Sequence, residues 1–298
     1  MDKITETNES GGTGTKSQKT VPGWARVLIL IVPYILVVGL FEVLGSLVAG
    51  FRLREMGSTM GTPNQMLIMQ LFNFMGTALV LFLMMRVVDR EKFIQMGFQW
   101  KGRSIDIIFG ILAGLILIFI GFMLLYLTGN MKILGISLDV RNLMILILIF
   151  LLVAFAEEML MRGYVLKNLM LSMNKFVALV LSSLMFSAMH FFNPDFSLFS
   201  FIGIFVAGIA LGATYIYTKN LWFPIAFHFS WNLFQSLVGF NVSGLDAYSI
   251  VEASPQGAER LSGGSFGFEG SVFSVLFEII MIAMIFMHFK RIGTKKSA

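Results

Sequence analysis

Eight long apolar runs follow one another along the chain, separated by shorter polar segments. Each run is close to the roughly 20 residues that a helix needs to cross a bilayer. Helices are expected because lipid leaves backbone polar groups no water to bind, and the runs lack the alternation of a barrel strand. The sequence therefore predicts an all-α polytopic membrane protein with about eight transmembrane helices, at about 27–50, 65–87, 107–128, 143–165, 176–192, 196–218, 221–240 and 271–289.

Composition supports a membrane protein and removes several kinds of chemistry. Hydrophobic residues make up 57% of the chain, charged residues only 13%, and the mean hydropathy is +0.82. A soluble domain usually has about a quarter of its residues charged. Cysteine is absent, which excludes disulfides, thiol nucleophiles and thiolate metal sites.

Lysine and arginine are distributed unevenly between the two ends of the predicted spans. With a cytoplasmic N-terminus, 17 of the 22 fall on the inner side. Cytoplasmic loops carry the excess of basic residues, so both termini are predicted to be cytoplasmic, in what we expect to be a bacterial cytoplasmic membrane. The net charge of +5 then reflects orientation and not a nucleic-acid partner; the bilayer is the expected surrounding.

The pattern predicts three segments. Residues 1–23 are polar and rich in Gly, Ser and Thr, and are expected to form a disordered cytoplasmic tail. Residues 24–292 form the transmembrane bundle, and residues 293–298 a short basic C-terminal tail.

Ionisable residues within the apolar runs mark a candidate site, because such groups are costly at bilayer depth. Glu158 and Arg162 are four residues apart and can pair on one helix face. Glu157 points about 100° away from Glu158, so it lacks that partner and is free for chemistry. His228 and Asn232 share a face in the same way.

Phe186 and His190 also share a helix face. His190 reaches the depth of Glu157 if span 4 continues as a helix to about Leu171 and turns at 172–174. One Glu, two His and one Asn can then meet in an intramembrane cavity that opens toward the cytosol. Phe186 is expected to pack, and structural roles are expected for Glu42 and Glu278, and an interfacial one for His288.

Two kinds of chemistry fit these residues. A carboxylate and an imidazole can take a proton from a water molecule, and a second imidazole with an amide can donate to the oxyanion formed at a carbonyl. Alternatively, Glu157, His190 and His228 form a ligand set of the kind used by catalytic zinc, with Glu158 as the base.

The motifs resemble those of the CAAX protease and bacteriocin-processing family of intramembrane proteases. They are Glu157-Glu158-x-x-x-Arg162, Phe186-x-x-x-His190 and His228-x-x-x-Asn232. The resemblance covers about residues 143–240, the expected protease core. It implies that Glu157 is the general base, His190 helps activate water, His228 and Asn232 form the oxyanion site, and Glu158 and Arg162 support the geometry.

The resemblance favours a glutamate-dependent endopeptidase that needs no cofactor, with Zn²⁺ as the alternative. Its eukaryotic members release the last three residues of prenylated CAAX proteins, so a hydrophobic or membrane-anchored peptide or protein is the expected substrate. Two other functions remain open. A bacteriocin immunity or regulatory binding protein would not need hydrolysis, and a proton-coupled transporter could use the same buried groups.

Overall fold

The computed structural model describes residues 21–51 and 61–296, with side chains to residue 292. Most of the predicted N-terminal tail and the last two residues lie outside this part of the chain. Its principal helices are α1 (Gly23–Val48), α2 (Pro63–Asp89), α3 (Ser104–Leu127), α4 (Val140–Leu169), α5 (Lys175–Met189), α6 (Leu198–Thr218), α7 (Trp222–Leu237) and α8 (Val272–Lys296).

Each predicted span has a helix, but not all the helices are long enough to cross a membrane. Within the described ranges, six are long and apolar enough: α1, α2, α3, α4, α6 and α8. The chain is therefore an α-helical, polytopic integral membrane protein. Helices α5 and α7 have only 15 and 16 residues, about 23 Å at 1.5 Å per residue. The predicted number of eight spans is not confirmed.

Local sequence signals set where several helices begin. At the start of α2, the side chain of Thr62 accepts a hydrogen bond from the backbone N–H of Gln65, and the Gln65 side chain accepts one in return. The side chains of Asp139 and Asn174 each accept one hydrogen bond from a backbone N–H at the starts of α4 and α5. These side chains satisfy N–H groups that a helix leaves unpaired in its first turn.

Helix α4 is the longest helix of the described bundle and carries the predicted glutamates. It continues past Arg162 to Leu169, and Asn174 begins α5 after a short turn. The predicted extension and turn are therefore confirmed. Residues Met159–Leu166 form a π-helical segment whose eight residues are all buried. Such wide turns often occur at functional sites.

A short antiparallel pair of strands is a part of the described fold that the hydropathy pattern missed. Strand β1 (Met131–Ile136) pairs antiparallel with β2 (Val251–Pro255). This pair lies outside the helical bundle, and the predicted all-α fold class is confirmed. The strands are six and five residues long and 115 residues apart at their nearest ends, so no local turn signal connects them.

The helices pack closely where small residues meet. Gly110 and Gly114 of α3 lie against α7, and a Cβ atom at Gly114 would come within 2.6 Å of the Ser230 hydroxyl oxygen. Ser230 donates a hydrogen bond of 2.6 Å to the carbonyl oxygen of Ile111. Small residues let transmembrane helices approach in this way, so α3 holds α7 and its polar residues in place.

The described bundle has two distinguishable ends. The first, which we name the basic end, carries Gly23 together with segments 85–103, 166–175 and 217–222. The second, which we name the cavity end, carries segments 48–51, 61–63, 128–140, 190–197 and 238–271. Contacts across the basic end include Trp24 N–H to the Ser172 hydroxyl and Asn220 Nδ2 to the Gln99 carbonyl. The cavity end includes the β1–β2 pair and Asp139 N–H bonded to the Tyr248 hydroxyl.

Candidate active site

Glu158 is the centre of a buried charged cluster. Its Oε1 accepts hydrogen bonds of 2.8 Å from Arg162 Nη1 and of 2.8 Å from His228 Nδ1. The Arg162 guanidinium also donates to the Gly208 carbonyl oxygen and lies 4.4 Å from the centre of the Phe186 ring. The spacing predicted the Glu158–Arg162 pair, while the bond to His228 on α7 was not foreseen.

Glu157 faces a different surrounding from its neighbour. The Glu158 side chain is fully buried, whereas 26% of the Glu157 side chain is exposed. Glu157 Oε2 lies 3.8 Å from His228 Nε2 and is a buried atom without a hydrogen-bond partner. A distance of 3.8 Å is too long for a direct hydrogen bond, so the two atoms can both contact one water molecule lying beside them.

His190 is oriented by its own helix. It follows the last residue of α5, and its Nδ1 lies 2.9 Å from the carbonyl oxygen of Phe186. A carbonyl can only accept, so Nδ1 carries the hydrogen and Nε2 of the neutral ring is left as an acceptor. The Phe186 ring contacts both imidazoles edge-on, at 5.0 Å from His190 and 6.2 Å from His228. Phe186 therefore packs against Arg162 and both imidazoles, in line with the expected role.

One cavity of about 430 Å³ brings the predicted residues together. Glu157, His190, His228 and Asn232 all contribute to its wall. Asn232 lies one turn after His228 on α7 and is 5% exposed. The remaining wall is mostly apolar and comes from α2, α4 and the loop after α7, including Met66, Ile145, Ile149, Phe150, Val153, Leu245 and Tyr248.

The cavity opens in the direction opposite to the predicted one. On α4 it is lined from Glu157 back to Asn142, and on α2 from Pro63 to Asn73, which are the parts of both helices nearest the cavity end. Both termini of the described chain lie at the other end. The prediction of a cavity opening on the side of the termini is therefore wrong. It assumed that the α4–α5 turn would carry the opening with it, but side chains between the helices close that end.

Two acidic residues that we expected to be structural lie close to this site. Glu42 lines the same cavity as Glu157 and accepts a hydrogen bond of 2.7 Å from Asn73 Nδ2. Glu278 is 1% exposed, and its Oε2 has no hydrogen-bond partner. It faces a second, internal cavity of about 30 Å³ whose wall also includes His190 and His228. His288 lies far along α8 and does not line either cavity.

A further acidic group supports the loop beside His190. Asn193 Nδ2 donates to the Ser243 carbonyl oxygen at 2.9 Å, and Glu269 accepts bonds from the Ser243 N–H and hydroxyl at 2.9 and 2.7 Å. Burial raises the pKa of Glu269, and the bonds from Ser243 oppose that shift. We did not identify Glu269 from the sequence, because it lies in a polar loop and not in an apolar run.

The described residues contain no assembled ligand set for zinc. In the part of the chain that the structure describes, no three His, Cys, Asp or Glu side chains are grouped as metal ligands. Glu157, His190 and His228 surround the cavity without forming such a group. We therefore derive no step through a metal ion.

The fold and the site together define an integral membrane protein with a buried glutamate–histidine cluster at the floor of a cavity. Residues 139–234 match the model of the Rce1-like family, described as type II CAAX prenyl endopeptidase Rce1-like. This match confirms the resemblance drawn from the motifs, and its range contains Glu157, His190, His228 and Asn232. It supports an intramembrane endopeptidase of the CAAX protease type. No curated protein matches the chain.

Proposed function

We propose that this protein is an intramembrane endopeptidase that cleaves a hydrophobic or membrane-associated peptide with a water molecule activated by Glu157 and His190. The observation that carries the proposal is the Oε2 atom of Glu157, which has no hydrogen-bond partner and faces His228 Nε2 at the floor of a mostly apolar cavity. A buried acceptor without a partner costs free energy, so its retention favours a role in binding water or substrate.

The first step is attack by water. Glu157 takes a proton from the water, His190 Nε2 accepts a hydrogen bond from it, and the water oxygen bonds to the carbonyl carbon of the peptide. The carbonyl oxygen becomes an oxyanion, which the Nε2–H of His228 and the side-chain amide of Asn232 stabilise. Glu157 then passes the proton to the leaving nitrogen and the C–N bond breaks, which releases an amine and a carboxylic acid; the acid then gives its proton to the amine or to water.

Charge balance supports the role of His228 as a donor. Glu157 and Glu158 supply two negative charges to the cluster and Arg162 supplies one positive charge. A protonated His228 makes these four groups neutral, and a balanced cluster is less costly in apolar surroundings than an unbalanced one. Glu158 and Arg162 act as positioning residues, because Glu158 binds the ring of His228, Arg162 binds Glu158, and neither lines the cavity.

The test compares purified native protein with Glu157→Gln on hydrophobic peptides in detergent micelles. We expect Glu157→Gln to lower kcat by about 10²–10⁴-fold, the usual contribution of a general base. The matched control is Glu252→Gln, on the exposed face of β2, which should retain native activity. Normal turnover by Glu157→Gln would rule out the assigned base.

We also propose that catalysis needs no metal ion, since Glu157 and His190 suffice to activate water. Native activity should survive treatment with a strong chelator and dialysis. Loss of activity that zinc restores would instead support the ligand set of Glu157, His190 and His228. The family description names an endopeptidase, and no observation favours the immunity or transport functions.

A further inference from the structure

The active-site cavity continues from Glu157 in one direction only, toward the cavity end. Its wall on α4 begins at Glu157 and continues toward the cavity end for fifteen residues to Asn142, about 22 Å of helix. No residue after Glu157 on α4 contributes to the wall. The loop from Val242 to Tyr248, which lies at the cavity end, forms the outer part of the same wall. The cavity therefore runs from the middle of the bundle to the cavity end.

Polar side chains close the bundle on the other side of the site, toward the basic end. Arg26 of α1 forms an ion pair of 3.2 Å with Asp89 of α2, and Asn168 of α4 donates to the same carboxylate at 3.4 Å. Asp89 is 9% exposed and Asn168 is fully buried. Nearby, the buried Tyr215 hydroxyl donates to the Met96 carbonyl oxygen at 2.8 Å. The contacts of Asp89 join α1, α2 and α4 at the basic end, and the Tyr215 bond joins α6 to the segment that follows α2.

Polar side chains of α1 and α2 contribute to the cavity wall between Glu157 and the cavity end, where they suit contact with water. Glu42 has an exposed side chain, is bonded to Asn73, and stands on the wall with Glu157. A carboxylate in a transmembrane helix is expected to face protein or water and not lipid. A water-filled passage from the cavity end to Glu157 accounts for both carboxylates.

The two ends of the bundle differ in their number of basic residues. The described lysines and arginines of the cavity end are Lys132, Arg141 and Arg260, whereas those of the basic end are Arg26, Arg86, Arg90, Lys92, Lys101, Arg103, Lys167, Lys175, Lys219, Lys290 and Arg291. Basic residues near the ends of spans are retained on the cytoplasmic side. The basic end is thus the cytoplasmic one.

We infer that the active-site cavity opens on the non-cytoplasmic face of the membrane, and that the substrate is a hydrophobic peptide presented from that face. The choice of substrate rests on the proposed function, but the direction of the opening does not. Peptides or membrane-protein segments that emerge on the non-cytoplasmic side can reach Glu157 along the cavity. A lipid-modified C-terminus held in the cytoplasm has no comparable route, because the closed basic end separates it from the site.

The absence of cysteine makes the opening directly measurable in the full-length protein. Single-cysteine variants Asp246→Cys, in the exposed loop at the cavity end, and Lys101→Cys, exposed at the basic end, are expressed in intact cells. A membrane-impermeant maleimide is added before or after permeabilisation. Ala247→Cys, on the cavity wall, tests whether the cavity itself is reached from the same side.

We expect Asp246→Cys and Ala247→Cys to be labelled in intact cells and Lys101→Cys only after permeabilisation. The reverse pattern would overturn the inference, and so would labelling of all three in intact cells. These results do not depend on hydrolysis. If native protein and Glu157→Gln were equally inactive on peptides while the labelling followed expectation, the proposed function would fail and the direction of the opening would stand.

Discussion

Two buried charged clusters in this protein contain similar groups but have different roles. The site cluster consists of Glu157, Glu158, Arg162 and His228. The closing cluster consists of Arg26, Asp89, Tyr164 and Asn168, near the basic end. Each pairs a carboxylate with a guanidinium in apolar surroundings, at 2.8 Å between Glu158 and Arg162 and at 3.2 Å between Asp89 and Arg26.

The difference lies in the second carboxylate of the site cluster. In the closing cluster, both oxygens of Asp89 accept bonds, from Arg26 and Tyr164 on one side and from Asn168 on the other. In the site cluster, Glu158 Oε1 accepts from Arg162 and His228, whereas Glu158 Oε2 and Glu157 Oε2 have no hydrogen-bond partner; of these two carboxylates, only Glu157 lines the cavity. A cluster in which both carboxylate oxygens are hydrogen-bonded joins helices. A cluster with an unbonded carboxylate oxygen facing a cavity can act on a substrate.

The largest expected effect is a loss of stability that leaves kcat unchanged. Asp89→Ala leaves the Arg26 guanidinium buried without its carboxylate, which should lower the free energy of unfolding by about 3–5 kcal/mol. The molecules that remain folded should cleave peptide with native kcat, because Asp89 does not line the cavity. Unfolding in mixed detergent micelles, followed by tryptophan fluorescence and combined with the peptide assay, measures both quantities.

Two control variants complete this comparison. Asp106→Ala removes the ion pair with Arg103, whose side chains are 25% and 31% exposed, and should cost no more than about 1 kcal/mol. Glu157→Ala should lower the free energy of unfolding by less than Asp89→Ala does, since Glu157 Oε2 has no hydrogen-bond partner and 26% of its side chain is exposed. A loss of stability at Glu157 equal to that at Asp89 would contradict the distinction between the clusters.

The next effect concerns the oxyanion site. Asn232→Ala removes an amide expected to contact the oxyanion and should lower kcat by about 10²–10³-fold while KM stays nearly constant. The reason is that the oxyanion exists only in the transition state and the intermediate, not in the bound peptide. Asn130→Ala, in the loop before β1, is the matched control. A rise in KM with unchanged kcat would assign Asn232 to substrate binding instead.

Sequence patterns predicted the parts of this fold that depend on local chemistry. The hydropathy of each run located eight helices, and the four-residue spacings placed Glu158 with Arg162 and His228 with Asn232 on shared faces. The turn before Asn174 followed from the requirement that Glu157 and His190 lie at one depth. Each of these inferences uses neighbours within about one turn, or a single antiparallel hairpin.

Contacts between distant segments were not predictable in the same way. The β1–β2 pair joins residues that are more than a hundred positions apart. The bond from His228 to Glu158 depends on the approach of α7 to α4, and the closing of the basic end depends on Asp89, which the pattern placed just outside a span. The direction of the cavity follows from these long-range contacts, which explains why the predicted direction was wrong.

A smaller effect should appear in the pH dependence of stability. Burial raises the pKa of Glu269, so the folded protein binds this proton more tightly than the unfolded chain does. Stability is then greatest below the ordinary pKa of glutamate and falls as the pH rises through the raised pKa. Glu269→Gln should remove this part of the slope, as measured by unfolding between about pH 4 and pH 8. An unchanged slope would show that other groups cause it.

The smallest effect tests whether the closing cluster is held by its ion pair or by its whole network. The Tyr164 hydroxyl donates to Asp89 Oδ1 at 3.5 Å, the outer limit of a hydrogen bond, while Arg26 and Asn168 still bind the carboxylate. Tyr164→Phe should therefore lower the free energy of unfolding by about 0.5–1 kcal/mol, the low end for a hydrogen bond to a group that keeps other partners. A loss as large as that of Asp89→Ala would mean that the network acts as one unit, because removing a single weak donor would then release the ion pair as well.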